Sequence, residues 1–156
     1  LLLKKKFHSF VPLSKSHSSA GCNQKLFNEK IKKMKNAINW FEIPVKDFSR
    51  AKKFYSAVLG SKIDDMPHPT LKYGILPSDI QNGGVGGAIV EGEGYEVSKK
   101  GALVYLNGGD DLSIPLAKVE KAGGKIVQPK TSIGENGFIA FFTDSEGNKV
   151  ALHSMN

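Results

Sequence analysis

From Ile38 to Val45 the chain alternates with a period of two (Ile38-Asn39-Trp40-Phe41-Glu42-Ile43-Pro44-Val45), which predicts a half-buried strand. The period then changes. Ala51, Phe54, Tyr55, Val58 and Leu59 fall at i, i+3, i+4, i+7 and i+8, the apolar stripe of an amphipathic helix. Asp47 precedes it as an N-cap, and Gly60 follows as a left-handed stop. Leu71–Leu76 and Ala88–Glu91 read as strands, the second approached through the glycine-rich run Asn82–Gly87. That run precedes no helix and holds no Lys-Ser/Thr pair, so it predicts a bulge or a close backbone contact, not a phosphate loop.

A polar linker, Gly92–Gly101, separates this half from a second one. There Ala102–Asn107 predicts a strand and Leu112–Ala122 a helix with Pro115 in its first turn, where a missing N–H costs little. Lys125–Gln128 predicts a short strand. Phe138–Thr143 and Asn148–Ser154 predict an antiparallel pair around the turn Asp144-Ser145-Glu146-Gly147-Asn148. The two halves repeat one another at an offset of about 63 residues: Asp47 answers Asp110, Gly60 answers Gly123, and Lys62-Ile63 answers Lys125-Ile126. The expected architecture is α+β, two βαβββ modules (about 37–92 and 102–155) forming a curved, mostly antiparallel sheet around a cleft.

Composition changes this picture at one end. Of the formal charge of +7, residues 1–34 supply all of it, with eight Lys against Glu29, so residues 35–156 are neutral with 14 basic and 14 acidic groups. A basic nucleic-acid face is disfavoured, because phosphate contacts need clustered Lys and Arg and the body has a single Arg, Arg50. No apolar run has membrane-spanning length. With one cysteine, Cys22, the chain can form no internal disulfide and no thiolate metal site. Residues 1–34 are expected to be a disordered or targeting leader ahead of one domain at 35–156, which gives a cytoplasmic expectation, or an organellar one if the leader is a transit peptide.

The stretch Trp40-Phe41-Glu42-Ile43-Pro44-Val45, with Asp47, Ala51, Phe54-Tyr55 and Leu59-Gly60, resembles the opening module of the glyoxalase, bleomycin-resistance and dioxygenase superfamily, also called vicinal oxygen chelate. Asp144–Asn148 with His153 on the next strand resembles its closing hairpin, and Gly87–Tyr95 with Leu103–Leu106 resembles a short, single-domain, uncharacterised branch. The resemblance implies isomerase, lyase, dioxygenase, transferase or metal-free binding functions on one scaffold. It also implies a divalent metal held by His, Glu or Gln on equivalent strands. Here the corresponding positions are Trp40, Ala88 (nearby), Leu103 (nearby) and Ala151, none of them a plausible ligand. No cofactor is therefore expected, and a divalent metal is disfavoured.

Strand parity suggests what the cleft holds instead. Trp40 and Glu42 share a face, as do Leu103 and Tyr105, and Ala151 and His153. Trp40, Leu103, Ala88 and Ala151 are expected at one level, with Glu42, Tyr105 and His153 one layer along. Glu42 and His153 are the candidate catalytic residues, as a general acid/base couple, with ligand orientation or a structural hydrogen bond as alternatives. Trp40, Tyr105, Leu103 and Ala151 are the candidate substrate-binding residues. The expected function is binding of a small apolar metabolite in a sheet-lined cleft without the family's metal. The alternatives are a lyase or isomerase of the glyoxalase type, or a dioxygenase-type enzyme, and a homodimeric interaction module without catalysis. A homodimer is expected, with no nucleic-acid or membrane partner.

Overall fold

A computed structural model describes residue 36 and residues 38–156; the leader expected at 1–34 lies outside the described residues. The first module runs β1 (Trp40–Pro44), α1 (Phe48–Leu59), β2 (Asp64–Met66), β3 (Lys72–Ile75) and β4 (Gly86–Glu91). The second runs β5 (Tyr105–Asn107), α2 (Ser113–Val119), β6 (Lys125–Ser132), β7 (Phe138–Thr143) and β8 (Lys149–Ser154). Each module makes a four-stranded mixed sheet, in the order β1-β4-β3-β2 and β5-β8-β7-β6. In each, the first and last strands pair in parallel and the others antiparallel. The internal repeat holds at the level of register: an offset of 63 residues carries the pair Glu42–Ala88 onto Tyr105–Ala151, and Pro44–Val90 onto Asn107–His153.

The local chemistry explains the element ends. The Asp47 side chain accepts the Arg50 N–H at 3.0 Å, satisfying one orphan donor of the first turn of α1. Gly60 closes the helix at φ 67°, where a Cβ would be strained. α2 is shorter than the apolar pattern predicts. Its path continues past Val119 as a hydrogen-bonded turn, with the Ala122 N–H on the Lys118 carbonyl and the Gly124 N–H on the Val119 carbonyl. β6 is longer than predicted, because Pro129, which has no N–H to give, lies within a register irregularity between Gln128 and Thr131 and the ladder resumes beyond it. β5 is shorter, ladder pairing beginning only at Tyr105.

The helices pack against one another and against one face of each sheet, so a single core joins both modules. Phe54, Tyr55, Ile89, Leu112, Phe142 and Leu152 are among its fully buried side chains, each contributing on the order of 1.5–3 kcal/mol by leaving water. A polar knot pins the modules together. The Tyr55 hydroxyl donates to Asp144 Oδ2 at 2.7 Å, while Asp144 Oδ1 accepts the N–H groups of Glu146, Gly147 and Asn148 at 2.8–2.9 Å. Asn148 Nδ2 donates to the Pro44 carbonyl at 2.7 Å. Glu146 reaches the start of α1, accepting the N–H groups of Lys46 and Asp47 and a two-pronged contact from Arg50 at 2.7 and 2.8 Å. The turn after β7 is thereby bolted to the turn after β1.

Candidate functional site

With Ile43 and Ile89 in the common core, strand parity turns Trp40, Glu42, Ala88 and Val90 to the opposite, helix-free face of the first sheet. β3 adds Tyr73 and Ile75, and the linker after β4 brings Tyr95 onto the same face. Glycines make room for the rings of β1. A Cβ at Gly86 would run into the Trp40 indole, and one at Gly87 into the Phe41 ring, which is why the glycine-rich run ends in this strand.

Glu42 is the focus of this face. Its Oε1 accepts the Tyr73 hydroxyl and the Trp40 Nε1–H, the latter at 3.2 Å, and its Oε2 accepts the Tyr95 hydroxyl at 2.6 Å. The indole N–H also lies 3.1 Å from the Tyr73 oxygen. Partial burial pushes the Glu42 carboxyl up, but hydrogen bonds from Tyr73, Tyr95 and Trp40 together outweigh it and hold the group below its ordinary range. Burial, with the Glu42 contact, raises Tyr73, and the Glu42 hydrogen bond, followed by burial, raises Tyr95. The result is a carboxylate held ionised by three neutral donors. Among the described residues it has no Lys, Arg or His partner.

The second module presents a separate face. Tyr105 is 49% exposed and meets Phe141 edge-to-face at 6.1 Å. It shares an open hollow of about 440 Å³ with Asn107, Gly109 and His153. His153 Nε2 lies 2.8 Å from the Asn136 carbonyl, an acceptor only, so that nitrogen donates to it. Ala151 is fully buried opposite Tyr105, and Leu103 is half-buried ahead of β5.

The structure thus unites Trp40 with Glu42, and Tyr105 with His153 and Ala151, but it does not bring Glu42 to His153. The expected couple is not formed within the chain, because each residue is hydrogen-bonded elsewhere: Trp40, Tyr73 and the linker residue Tyr95 for the acid, Asn136 for the imidazole. One further correction concerns level. Glu42 and Tyr105, not Trp40 and Leu103, stand opposite Ala88 and Ala151. Tyr73 and Tyr95 are the site residues that sequence reasoning missed. Tyr73 was legible by parity with Leu71 and Ile75, whereas Tyr95 sits in a loop whose path no periodicity encodes.

The four positions at which the fold family places metal donors carry an indole, an isobutyl group and two methyl groups. None offers a lone pair, and the indole N–H is spent on Glu42 and Tyr73. Among the described residues no three His, Cys, Asp or Glu side chains converge as a metal site would require. The residues present do not fit the family's cation.

Residues 37–152 match the model of the Glyoxalase/Bleomycin resistance protein/Dioxygenase superfamily. The chain belongs to this superfamily. It is 36% identical over 121 residues to a glyoxylase-like domain-containing protein of Didymella fabae, spanning 74% of this chain and 91% of that one. Glyoxalase I from Zea mays superposes with a TM-score of 0.60 at 26% identity over 75% of this chain; the match spans 45% of the maize protein, about half its length. A family enzyme from Burkholderia phytofirmans shares the fold at 16% identity and a TM-score of 0.56, over 76% of this chain and 98% of its own. No helix among the described residues is long and apolar enough to cross a membrane.

Proposed function

We propose that this glyoxalase-like protein binds a small, largely apolar metabolite on the helix-free sheet face around Glu42, without the superfamily's divalent metal. The observation that carries the reading is the replacement of metal donors by Trp40, Leu103, Ala88 and Ala151, together with a Glu42 carboxylate fixed by Trp40, Tyr73 and Tyr95. Ile75 and Leu71, packed on the buried Val90, supply apolar surface beside it. Tyr105 and His153, on the second sheet, form a matching half-face whose half-exposed aromatic would be covered by a second copy of the chain. In a two-fold dimer the Glu42 face of one copy meets the Tyr105 face of the other, and the cleft is completed between subunits. Work in the cytoplasm is part of the same reading.

A lyase or isomerase reading is favoured by the likeness to maize glyoxalase I. The chemistry of Glu42 weighs against it as the proton acceptor, because a carboxylate held low by three donors is a weak base near neutral pH. His153 is the remaining candidate base in that reading, its Nε2 held by the Asn136 carbonyl. Native mass spectrometry of freshly purified protein tests the binding reading. Co-purified organic ligand, released on denaturation and raising the melting temperature when restored, is the expected outcome. A protein that holds no small molecule and shows no thermal shift across a metabolite panel would overturn it.

A further inference from the structure

We infer that the Glu42 face recognises the ammonium group of an organic amine attached to an apolar body, with Glu42 as its counter-ion. This deepens the binding reading above and rests on it. The first support is charge. Glu42 is half-buried and ionised, yet among the described residues no Lys, Arg or His side chain forms an ion pair with it; Lys72, on β3 of the same sheet, is paired with Glu91 at 2.7 Å. Charge withdrawn from water is stabilised by an opposite charge, and three neutral donors supply none.

The second support is the donor count. The Trp40 N–H and both tyrosine hydroxyls already point at Glu42, so an incoming carbonyl or carboxylate finds no free donor among them. An anion would also meet an uncompensated negative charge. A carboxylate has about four acceptor positions, and three are taken here, which leaves room at Oε2 for one N–H of an ammonium. The third support is the walls. Indole and phenol rings border the carboxylate, and aromatic surface attracts organic cations more readily than it holds a small hydrated metal ion. His68 stacks on Tyr73 at 6.4 Å, and Tyr73, His68 and Leu71 also line an open hollow of about 390 Å³ with Phe48, Met66 and Pro67. Asp65 and Lys72 lie at the same hollow with their charges already paired, to Lys52 and Glu91, so its apolar side can lodge the apolar body.

Trp40 is the chain's single tryptophan, so its emission reports on this face alone. The test titrates the full chain at neutral pH with three probes of one shape: phenethylamine, 2-phenylethanol and phenylacetate. The expected result is saturable change with the amine, at least about tenfold tighter than with the alcohol, and none with the acid. Glu42→Gln is expected to erase the preference for the amine, with circular dichroism confirming the fold. The probe series on the unaltered protein decides the matter even if that variant fails to fold. Equal affinity for amine and alcohol would overturn the cation inference while leaving the binding reading standing. Absence of any response to amine and alcohol alike would overturn the inference, and failure of the metabolite panel would separately overturn the reading beneath it.

Discussion

Glu42 and Glu146 are both carboxylates held below their ordinary range, and they are held in opposite ways. For Glu146, burial pushes upward, and the Arg50 guanidinium, the N–H groups of Asp47 and Lys46 and the Ser145 hydroxyl pull it down. Its side chain is 0% exposed and its charge has a cation. For Glu42 the donors are side-chain hydroxyls and an indole, and the described residues supply no cation. The first arrangement fastens two modules and leaves nothing for a ligand to add. The second leaves a charge unanswered at the surface of a sheet. The contrast separates a carboxylate that fastens two modules from one that, in the proposed reading, meets a ligand.

The largest effect should come from the fastening. Asp144 is 4% exposed and receives the Tyr55 hydroxyl and three N–H groups, so Asp144→Ala strands several buried donors. A loss of about 3 kcal/mol or more in urea unfolding is expected. A loss below about 1 kcal/mol would mean the knot is not what joins the modules. Next, Gly86→Ala should cost about 1–3 kcal/mol and shift Trp40 emission, because the added methyl competes with the indole for the same space. An unchanged emission spectrum would show that the ring does not lie over Gly86.

Glu146→Gln sharpens the comparison through pH. The folded carboxyl lies below its ordinary value of 4.5, so its stabilisation is complete above that pH and is lost as pH falls through the lower, folded value. The charged neighbours there are Arg50, Asp47 and Asp144. The wild type should therefore lose stability on acidification more steeply than Glu146→Gln, measured by thermal melts from pH 7 to pH 3. Parallel acid profiles would remove Glu146 from the account. The smallest expected effect is a null: a double-mutant cycle of Glu42→Gln with His153→Ala should give a coupling energy under about 0.5 kcal/mol in the purified protein at subunit concentrations too low for dimer formation. A coupling above about 1 kcal/mol there would restore the couple that parity alone suggested.

Much of the fold was legible because its signals are local. Period two in Ile38–Val45, the stripe from Ala51 to Leu59, Asp47 and Gly60 each act within a few residues, and the elements appear where these signals lie. The ends of β5, α2 and β6 were less legible, since they depend on which partner strand offers a ladder and where Pro129 interrupts it. For the site, parity placed Trp40 and Glu42 on one face and Ala151 and His153 on another. Parity says which side of a sheet a residue takes. It does not say which sheet faces which, and so it joined Glu42 to His153 across modules that share their helices instead. Tyr95 was invisible for a related reason: a loop residue becomes a hydrogen-bond donor only once tertiary structure has set its path.

The claim at the centre is that Trp40 and its neighbours have converted a metal scaffold into a metal-free ligand face. Elemental analysis of freshly isolated, untagged protein addresses it most directly. Less than a tenth of an equivalent of nickel, zinc, manganese or iron per chain is the result predicted. One equivalent of any of them, lost together with ligand binding on chelation, would contradict it.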